Sequence, residues 1–405
     1  MAQTLKFGNG NFATKAGSTL CYDDQNGNFK PIPMDFTRAS TATRVNKQGL
    51  IEVVKSNVPR IDFLGNTKGS LKIEPTRTNI FEYSEDGSQW STTNATLSLS
   101  SDSLTPSGQT QSYKVSDTTQ NAQHRIAITQ AVVSGVEYTF SAFVKQEVNS
   151  DTDFAYLLLA NRFTSTTRYY FNIKTGIAGN GNGIIENYGN GWYKISGSAT
   201  ANSTGNAVLG VNLSNSNGTP TYTGTGNGSM FVWGLQMEAG SYATSYIPTL
   251  GGSSETRIRE SNTLASPISL DNNFSLFWEG LVLENDIMLY GSGTNAWYMN
   301  YETATGRIIL DEANGGRKIQ AYLGSGAPAR IKTKILLIRN NGVHSIFANG
   351  TKRTANISVD STSTLSLSSM FWSFSSSFNK GLKVNDSQIF KIALTDAEAI
   401  SLTTI

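Results

Sequence analysis

In EYTFSAFVKQ, residues 137–146, Tyr138, Phe140, Ala142 and Val144 fall on one face and Thr139, Ser141 and Phe143 on the other. A period of two predicts a strand with one face against a core. Comparable runs recur at 110–116, 124–132, 153–160, 167–173, 191–200, 206–214 and 229–238. A second series follows at 273–283, 286–293, 296–302, 306–312, 318–323, 333–340, 343–350 and 370–376. Within ILLIRNNGVHSIFANGTKR, turns at Asn340–Gly342 and Asn349–Gly350 predict two hairpins in series, because Asn-Gly supplies the positive φ values of tight turns. Ten Asn-Gly pairs punctuate the chain, and helical periodicity over more than two turns is almost absent. The exception is LTDAEAISL, a short helical turn that Thr395 or Asp396 could cap.

The segment MFVWGLQMEAGSYATSYIPT, 230–249, reads as a strand up to Met237 and then as an irregular exit. A regular strand would place Phe231, Trp233, Leu235 and Met237 on one core-facing stripe. Gly234 would admit a close neighbour, and Pro248 would stop further pairing. Tyr242 and Tyr246 are expected to tack the outgoing chain onto the sheet. Glu238 is expected to serve as a turn residue or ion-pair partner.

This pattern predicts an all-β protein in three parts: an N-terminal region, 1–79, and two antiparallel β-sandwich domains, 80–250 with jelly-roll character and 251–405 after the linker-like GGSSE. In the first part Arg38, Arg44, Arg60 and Arg77 are interleaved with Asp35, Glu52, Asp62 and Glu74. Structural arginine–carboxylate pairs are favoured there over an anion-binding surface.

Charged residues make up only 15% of the 405, with a formal net charge of +2, so nucleic acid is not an expected partner. No apolar run approaches the roughly 20 residues of a membrane helix. The first residues show no apolar signal region. The single cysteine, Cys21, leaves no intrachain disulfide, so large sheets or subunit association must supply stability.

No cofactor, metal or catalytic residue is assigned. The two histidines, His124 and His344, are far apart, and His344 is expected on a surface strand. Glycosidase chemistry needs two carboxylates across a sugar. Glu279, Glu284 and Asp286 are the nearest candidates, but no alternating acid triplet occurs and solvated carboxylates are expected. The turn DDQNGN, 23–28, lacks the distal bidentate acid of a calcium loop and reads as a hairpin, although a calcium site built from separated loops stays open. For sugar binding, AWYMNYE offers Tyr298, Asn300 and Tyr301 as candidate contacts. Trp297 and Met299 should face the core, with Tyr298 and Asn300 opposite. Trp192 and Tyr193 split in the same way.

The N-terminal stretches LKFGNGNFATKAGSTLCYDDQNGNFKPIP, FTRASTATRVNKQGLIEVV and LKIEPTRTNIFEYSED resemble virion proteins of tailed bacteriophages, especially gut phages of the Bacteroides type. FVWGLQMEAGSYATSYIPT resembles the closing motif of phage carbohydrate-binding-like jelly rolls. IFANGTKR and VNDSQIFKIALTDAEAISL resemble concanavalin A-like, laminin-G-like sandwiches. The likeness implies a head or tail fibre made in the host bacterial cytoplasm and displayed on the virion surface. Its N-terminal region would dock to other virion proteins. Its sandwiches would contact host or mucosal glycans without catalysis, and a homo-oligomer, preferentially a trimer, would give avidity. A capsule depolymerase and a purely architectural decoration are the alternatives.

Overall fold

The computed structural model describes residues 4–405 except 26–27, 165, 250, 284–285, 292–296, 303–304, 313–315, 324–330, 362 and 371–380. Strands dominate, the strand pairings among the described residues are antiparallel, and the described helix is Asp396–Thr403 apart from one 3-10 turn at Gly87–Gln89. The all-β expectation is met.

The chain divides into two compact units, and the boundaries differ from the expected ones. Unit 1 comprises 1–41, 54–76 and 258–405; unit 2 comprises 42–53 and 77–257. Residues 1–79 therefore do not form a region of their own. The physical reason is strand pairing across long sequence separations. Thr4–Gly8 pairs with Leu382–Phe390, and Asn28–Thr37 pairs with Ser261–Leu270. The linker-like stretch 251–255 ends in a strand, since Glu255–Arg257 pairs with Arg77–Asn79.

Unit 2 holds two six-stranded sheets. One runs Ser91–Thr93, His124–Val132, Gly205–Ser214, Phe154–Ala160, Thr167–Asn172, Ile177–Ala178. The other runs Ala95–Ser100, Ser112–Asp117, Ser229–Ala239, Glu137–Gln146, Trp192–Thr200, Ile184–Gly189. Their shared core takes alternate residues of each strand, including Tyr138, Phe140, Ala142 and Val144 as predicted, with Leu157, Leu209 and Val211 opposite.

The strand Ser229–Ala239 corrects one expectation. Its register against Glu137–Gln146 shifts between Ser141 and Phe143, and Gly234 has φ +62°. This bulge reverses the alternation. Met230 and Val232 face the core before it, Leu235 and Met237 after it. Trp233 is buried on the opposite face, 5.3 Å from the Phe143 ring and 4.6 Å from Tyr246. The tail is thus clamped as expected: Tyr242 and Tyr246 are buried, and the Tyr246 hydroxyl meets Ser84 Oγ and Glu85, each at 2.8 Å. Glu238 is fully buried and accepts from Gln236 Nε2 at 2.7 Å and Thr244 N at 2.9 Å, so it fastens the exit.

The described strands of unit 1 form one continuous 18-stranded sheet that wraps a main core in two layers, linked through Thr4–Gly8 and Ser18–Gln25, with a second apolar cluster at Phe277, Leu336, Phe347 and Ala399. One layer joins Thr351–Arg353, Val343–Ala348, Thr333–Asn340, Phe274–Val282 and Leu382–Phe390. The other joins Asn28–Thr37, Ser261–Leu270, Leu365–Met370, Asp286–Gly291, Trp297–Glu302, Arg307–Glu312, Gly316–Tyr322 and Ala355–Ser358. Trp278, Trp297, Met299, Leu310 and Leu337 lie in the core, together with Leu5, Phe7, Met34, Phe36, Ile61 and Leu71 from the N-terminal segments. Both predicted Asn-Gly turns form, with positive φ at Asn341, Gly342, Asn349 and Gly350. The C-terminal helix carries a Thr395–Glu398 capping box. The strand expected at 370–376 lies outside the described residues except for Met370.

Of the N-terminal arginines, Arg38, Arg44 and Arg60 form carboxylate pairs, and Arg77 lies over the Tyr242 ring. Arg60 binds Glu260 at 2.6 Å and Glu74 at 2.8 Å, and Arg38 binds Glu260 at 3.1 Å, all nearly or fully buried. Burial alone would lower the Arg60 pKa, but the two carboxylates more than offset it and hold the charge. Asp62 likewise meets Lys72 at 2.7 Å and Lys383 at 3.0 Å.

Candidate functional site

The sugar-contact triplet on Trp297–Glu302 is only partly accessible. Trp297 and Met299 face the core as expected, but Tyr301 joins them there and is 2% exposed. Period two requires this, since 297, 299 and 301 share parity. Asn300 lies on the Tyr298 side yet is only 1% exposed. Tyr298 alone of the three reaches the surface, half-buried. Its hydroxyl donates to Asp311 at 2.7 Å, and its pKa is pushed up to about 12 by burial and that carboxylate.

Two adjacent strands extend this face with residues that the sequence reading missed. Arg317 grips Asp311 through Nε at 2.9 Å and Nη2 at 3.1 Å. Arg317 Nη1 donates to Gln320 Oε1 at 2.7 Å, and Gln320 Nε2 donates to the Tyr322 hydroxyl at 2.9 Å. Arg307 pairs with Glu302 through Nε at 2.7 Å. The register Tyr298↔Asp311 and Ile309↔Gln320 assembles this row. Each strand alternated visibly in sequence, but their order in the sheet did not show. Most polar groups here are already satisfied by one another.

Unit 2 offers an open cleft of about 510 Å³ beside Ser91–Thr93, lined by Phe81, Glu82, Tyr83, Gln89, Trp90 and residues 127–130 among others. That edge strand pairs with 125–127 only, so the next residues of His124–Val132 border the opening. Trp90 is fixed by its indole N–H donating to Tyr83 O at 3.1 Å and by Tyr113, whose ring lies 5.2 Å away. Glu82 and Gln89 are exposed, and Tyr83 and Gln130 are half-buried. Aromatic walls with a few carboxylate, amide and hydroxyl groups suit a polar ligand with apolar faces.

His124 and His344 are both buried, which corrects the surface placement of His344. His124 is held by Asn94 O at 2.6 Å and Tyr222 O at 3.2 Å. His344 has its pKa lowered to about 4 by burial and by Arg339 across the strand pair. Glu279 stands opposite Asp386 on neighbouring strands, a pairing that sequence spacing could not reveal. Glu279 is held by Lys332 at 2.5 Å and Lys334 at 3.8 Å. Asp386 is pushed up to about 6, chiefly by burial, with Glu279 adding repulsion. Glu284 lies outside the described residues. In the turn read as DDQNGN, Gln25 pairs with Asn28, which is hairpin geometry. No cluster of three metal-ligating side chains occurs among the described residues. No helix among them is long and apolar enough to cross a membrane.

The fold and these surfaces define an antiparallel all-β protein of two units. No family model and no curated protein matches the chain. Among solved structures, it is similar to the CBM40 domain of the Ruminococcus gnavus IT-sialidase bound to α2,3-sialyllactose, at 13% identity over 34% of this chain and 84% of that one, TM-score 0.28. It is similar to the CBM22-1–CBM22-2 tandem of Paenibacillus barcinonensis Xyn10C at 11% identity over 77% and 96%, TM-score 0.27. Mouse laminin α1 LG4-5 aligns at 11% identity over 68% and 90%, TM-score 0.22. Likeness at this level transfers no ligand to this chain.

Proposed function

We propose that this chain is a non-catalytic adhesion protein that contacts polysaccharide through its β-sandwich units. The observation that carries the reading is the unit 2 cleft, where Tyr83 and Trp90 stand beside Glu82, Gln89 and Gln130. The Tyr298–Tyr322 row of unit 1 is a second contact surface. Weak single contacts become useful when several copies act together. The sequence resemblance to phage virion proteins supports display on a virion surface as a head or tail fibre, made in the host bacterial cytoplasm. Attachment would be to other virion proteins through N-terminal segments, and assembly as a homo-oligomer, a trimer by preference. Of the apolar residues Ile51, Val53, Ile61 and Phe63 that such an assembly would cover, Ile51 and Ile61 are already buried within the chain, Phe63 is half-buried, and Val53 is strongly exposed.

The test is binding of the full chain to host capsular and mucosal polysaccharides, with Tyr83→Ala and Tyr298→Ala as variants. Tyr83→Ala should weaken binding at least tenfold with unit 2 still folded. Unchanged binding in both variants would reject these contact surfaces, and the absence of any glycan binding would reject the adhesion reading.

A second reading, a depolymerase, is favoured by one observation. Asp386, whose pKa is pushed up to about 6 by burial and by Glu279, stands opposite Glu279 on the neighbouring strand, the kind of unequal carboxylate pair that a glycosidase acid and its partner require. Reducing-end release from capsular polysaccharide that disappears in both Glu279→Gln and Asp386→Asn would replace the non-catalytic reading.

A further inference from the structure

The outward face of the first unit 2 sheet carries a second, cationic surface. The register places Arg125, Asn212, Tyr156 and Tyr170 side by side on four neighbouring strands, with Arg168 opposite Leu158 one step along. All lie opposite in parity to the core residues Ile126, Val211, Leu157 and Phe171. Three strand spacings, about 14 Å, separate the strands of Arg125 and Arg168, within reach of two long side chains converging from either side.

The floor of this face is closed. Tyr156 and Asn212 are fully buried, and the Tyr156 and Tyr170 rings stack with centroids 4.9 Å apart. Tyr156 donates to Pro220 O at 3.2 Å, so the 214–220 loop borders the site. Burial raises the Tyr156 pKa, helped by Tyr170 and opposed by the Arg168 and Arg125 charges, which places both guanidinium groups within electrostatic range of one hydroxyl. Arg125 Nη1 is steered by Gln123 Oε1 at 3.0 Å.

Arg125 Nε, Arg168 Nε and, at the far end of the sheet, Arg162 Nε are buried donors with no hydrogen-bond partner among the described residues. Asn212 Oδ1 is a buried acceptor in the same condition, although Asn212 Nδ2 is satisfied by Tyr156 O at 3.3 Å. None of the three arginines forms an ion pair with a described carboxylate, unlike Arg38, Arg44, Arg60, Arg307 and Arg317. Unsatisfied buried polar groups are few in native structures and point to a missing partner. Guanidinium Nε–H groups call for an anionic, planar acceptor.

We propose that this face binds a carboxylated sugar of the uronate type, its carboxylate lying above the closed floor between the half-buried Arg125 and Arg168. The proposal rests on the glycan-adhesion reading and deepens it, since a uronate brings to a glycan the anion that the two arginines lack.

The test is calorimetric titration of the full chain with galacturonate, glucuronate and mannuronate oligosaccharides and with their methyl esters, which keep the hydroxyls and lose the charge. At least one free acid should bind, at least tenfold more tightly than its ester, with affinity falling as salt rises. Arg125→Gln combined with Arg168→Gln should abolish the difference while neutral-glycan binding at the Tyr83 cleft persists. Arg168→Lys, which keeps the charge but not the planar fork, should also weaken binding. Equal affinity for acid and ester in the unaltered protein overturns the proposal without needing any variant to fold. So does acid binding that survives the double substitution, or an oligoglutamate peptide that binds as tightly through the same arginines. Neutral glycans binding while no uronate does overturns this inference alone; binding of neither class overturns the adhesion reading with it.

Discussion

Glu260 serves two arginines at once and also accepts the Glu74 backbone N–H at 2.8 Å, in a place from which water is excluded. Removing its charge leaves Arg38 and Arg60 partly uncompensated, which for buried pairs costs about 3–5 kcal/mol. Glu260→Gln should therefore destabilise unit 1 by that amount in denaturant titration. Arg44→Ala, which breaks a 2.7 Å pair with both partners substantially exposed, should cost under about 1 kcal/mol. An equal effect of the two would contradict this account of burial. Two further residues tie unit 1 to pH in opposite senses. Asp386 has a folded pKa of about 6, above its unfolded value, so its contribution is fully present at low pH and is lost as pH rises through 6. His344, at about 4, lies below its unfolded value, so its contribution is present above pH 6.5 and is lost as pH falls through 4. The two slopes oppose each other between pH 4 and 6. Asp386→Asn should leave the His344 slope exposed, making unit 1 stability climb with pH across this window and exceed that of the unaltered protein above pH 6 by up to about 3 kcal/mol. Parallel pH curves for the two proteins would refute the assignment.

At the scale of the element, the strand Ser229–Ala239 shows how one glycine redirects a side chain. A regular strand would send Trp233 into the sandwich core; the bulge at Gly234 turns it outward to meet Phe143 and Tyr246. Trp233→Ala should still cost about 3–5 kcal/mol, because the indole is buried among aromatics. Its loss should also loosen the 242–249 tail, seen as faster amide exchange at Tyr246 and Ile247 than elsewhere in unit 2. Gly234→Ala should destabilise as well: the positive φ disfavours any side chain, and the added methyl would stand 2.9 Å from Phe143 Cδ2. A neutral Gly234→Ala would show that the bulge is dispensable.

For the whole molecule, the chain passes between its two units at 41/42, 53/54, 76/77 and 257/258. A chain starting at Asn79 lacks Thr4–Gly8, Asn28–Thr37 and Ser70–Ile73, which pair with Leu382–Phe390 and Ser261–Leu270. It should lose the unit 1 unfolding transition in calorimetry, whatever its oligomeric state; a retained transition would refute the interleaved fold. The sequence by itself determined what is local. Alternation at Glu137–Gln146 marked both the strand and its core face, the Asn-Gly pairs at 341–342 and 349–350 set the hairpins, and LTDAEAISL marked the helix, with Thr395 chosen over Asp396 as its cap by the structure. Period two also contained the answer for Tyr301, which shares the parity of Trp297 and Met299. Only the tertiary structure decided which strands became neighbours. Glu260 reached Arg60 across 200 positions, Asp386 came to face Glu279, and Arg125, Asn212, Tyr156 and Arg168 gathered on one face. The reason is physical: side-chain direction follows from a strand's own backbone, whereas antiparallel pairing of distant segments is chosen by the burial and hydrogen bonding of the whole sheet, which no local pattern encodes.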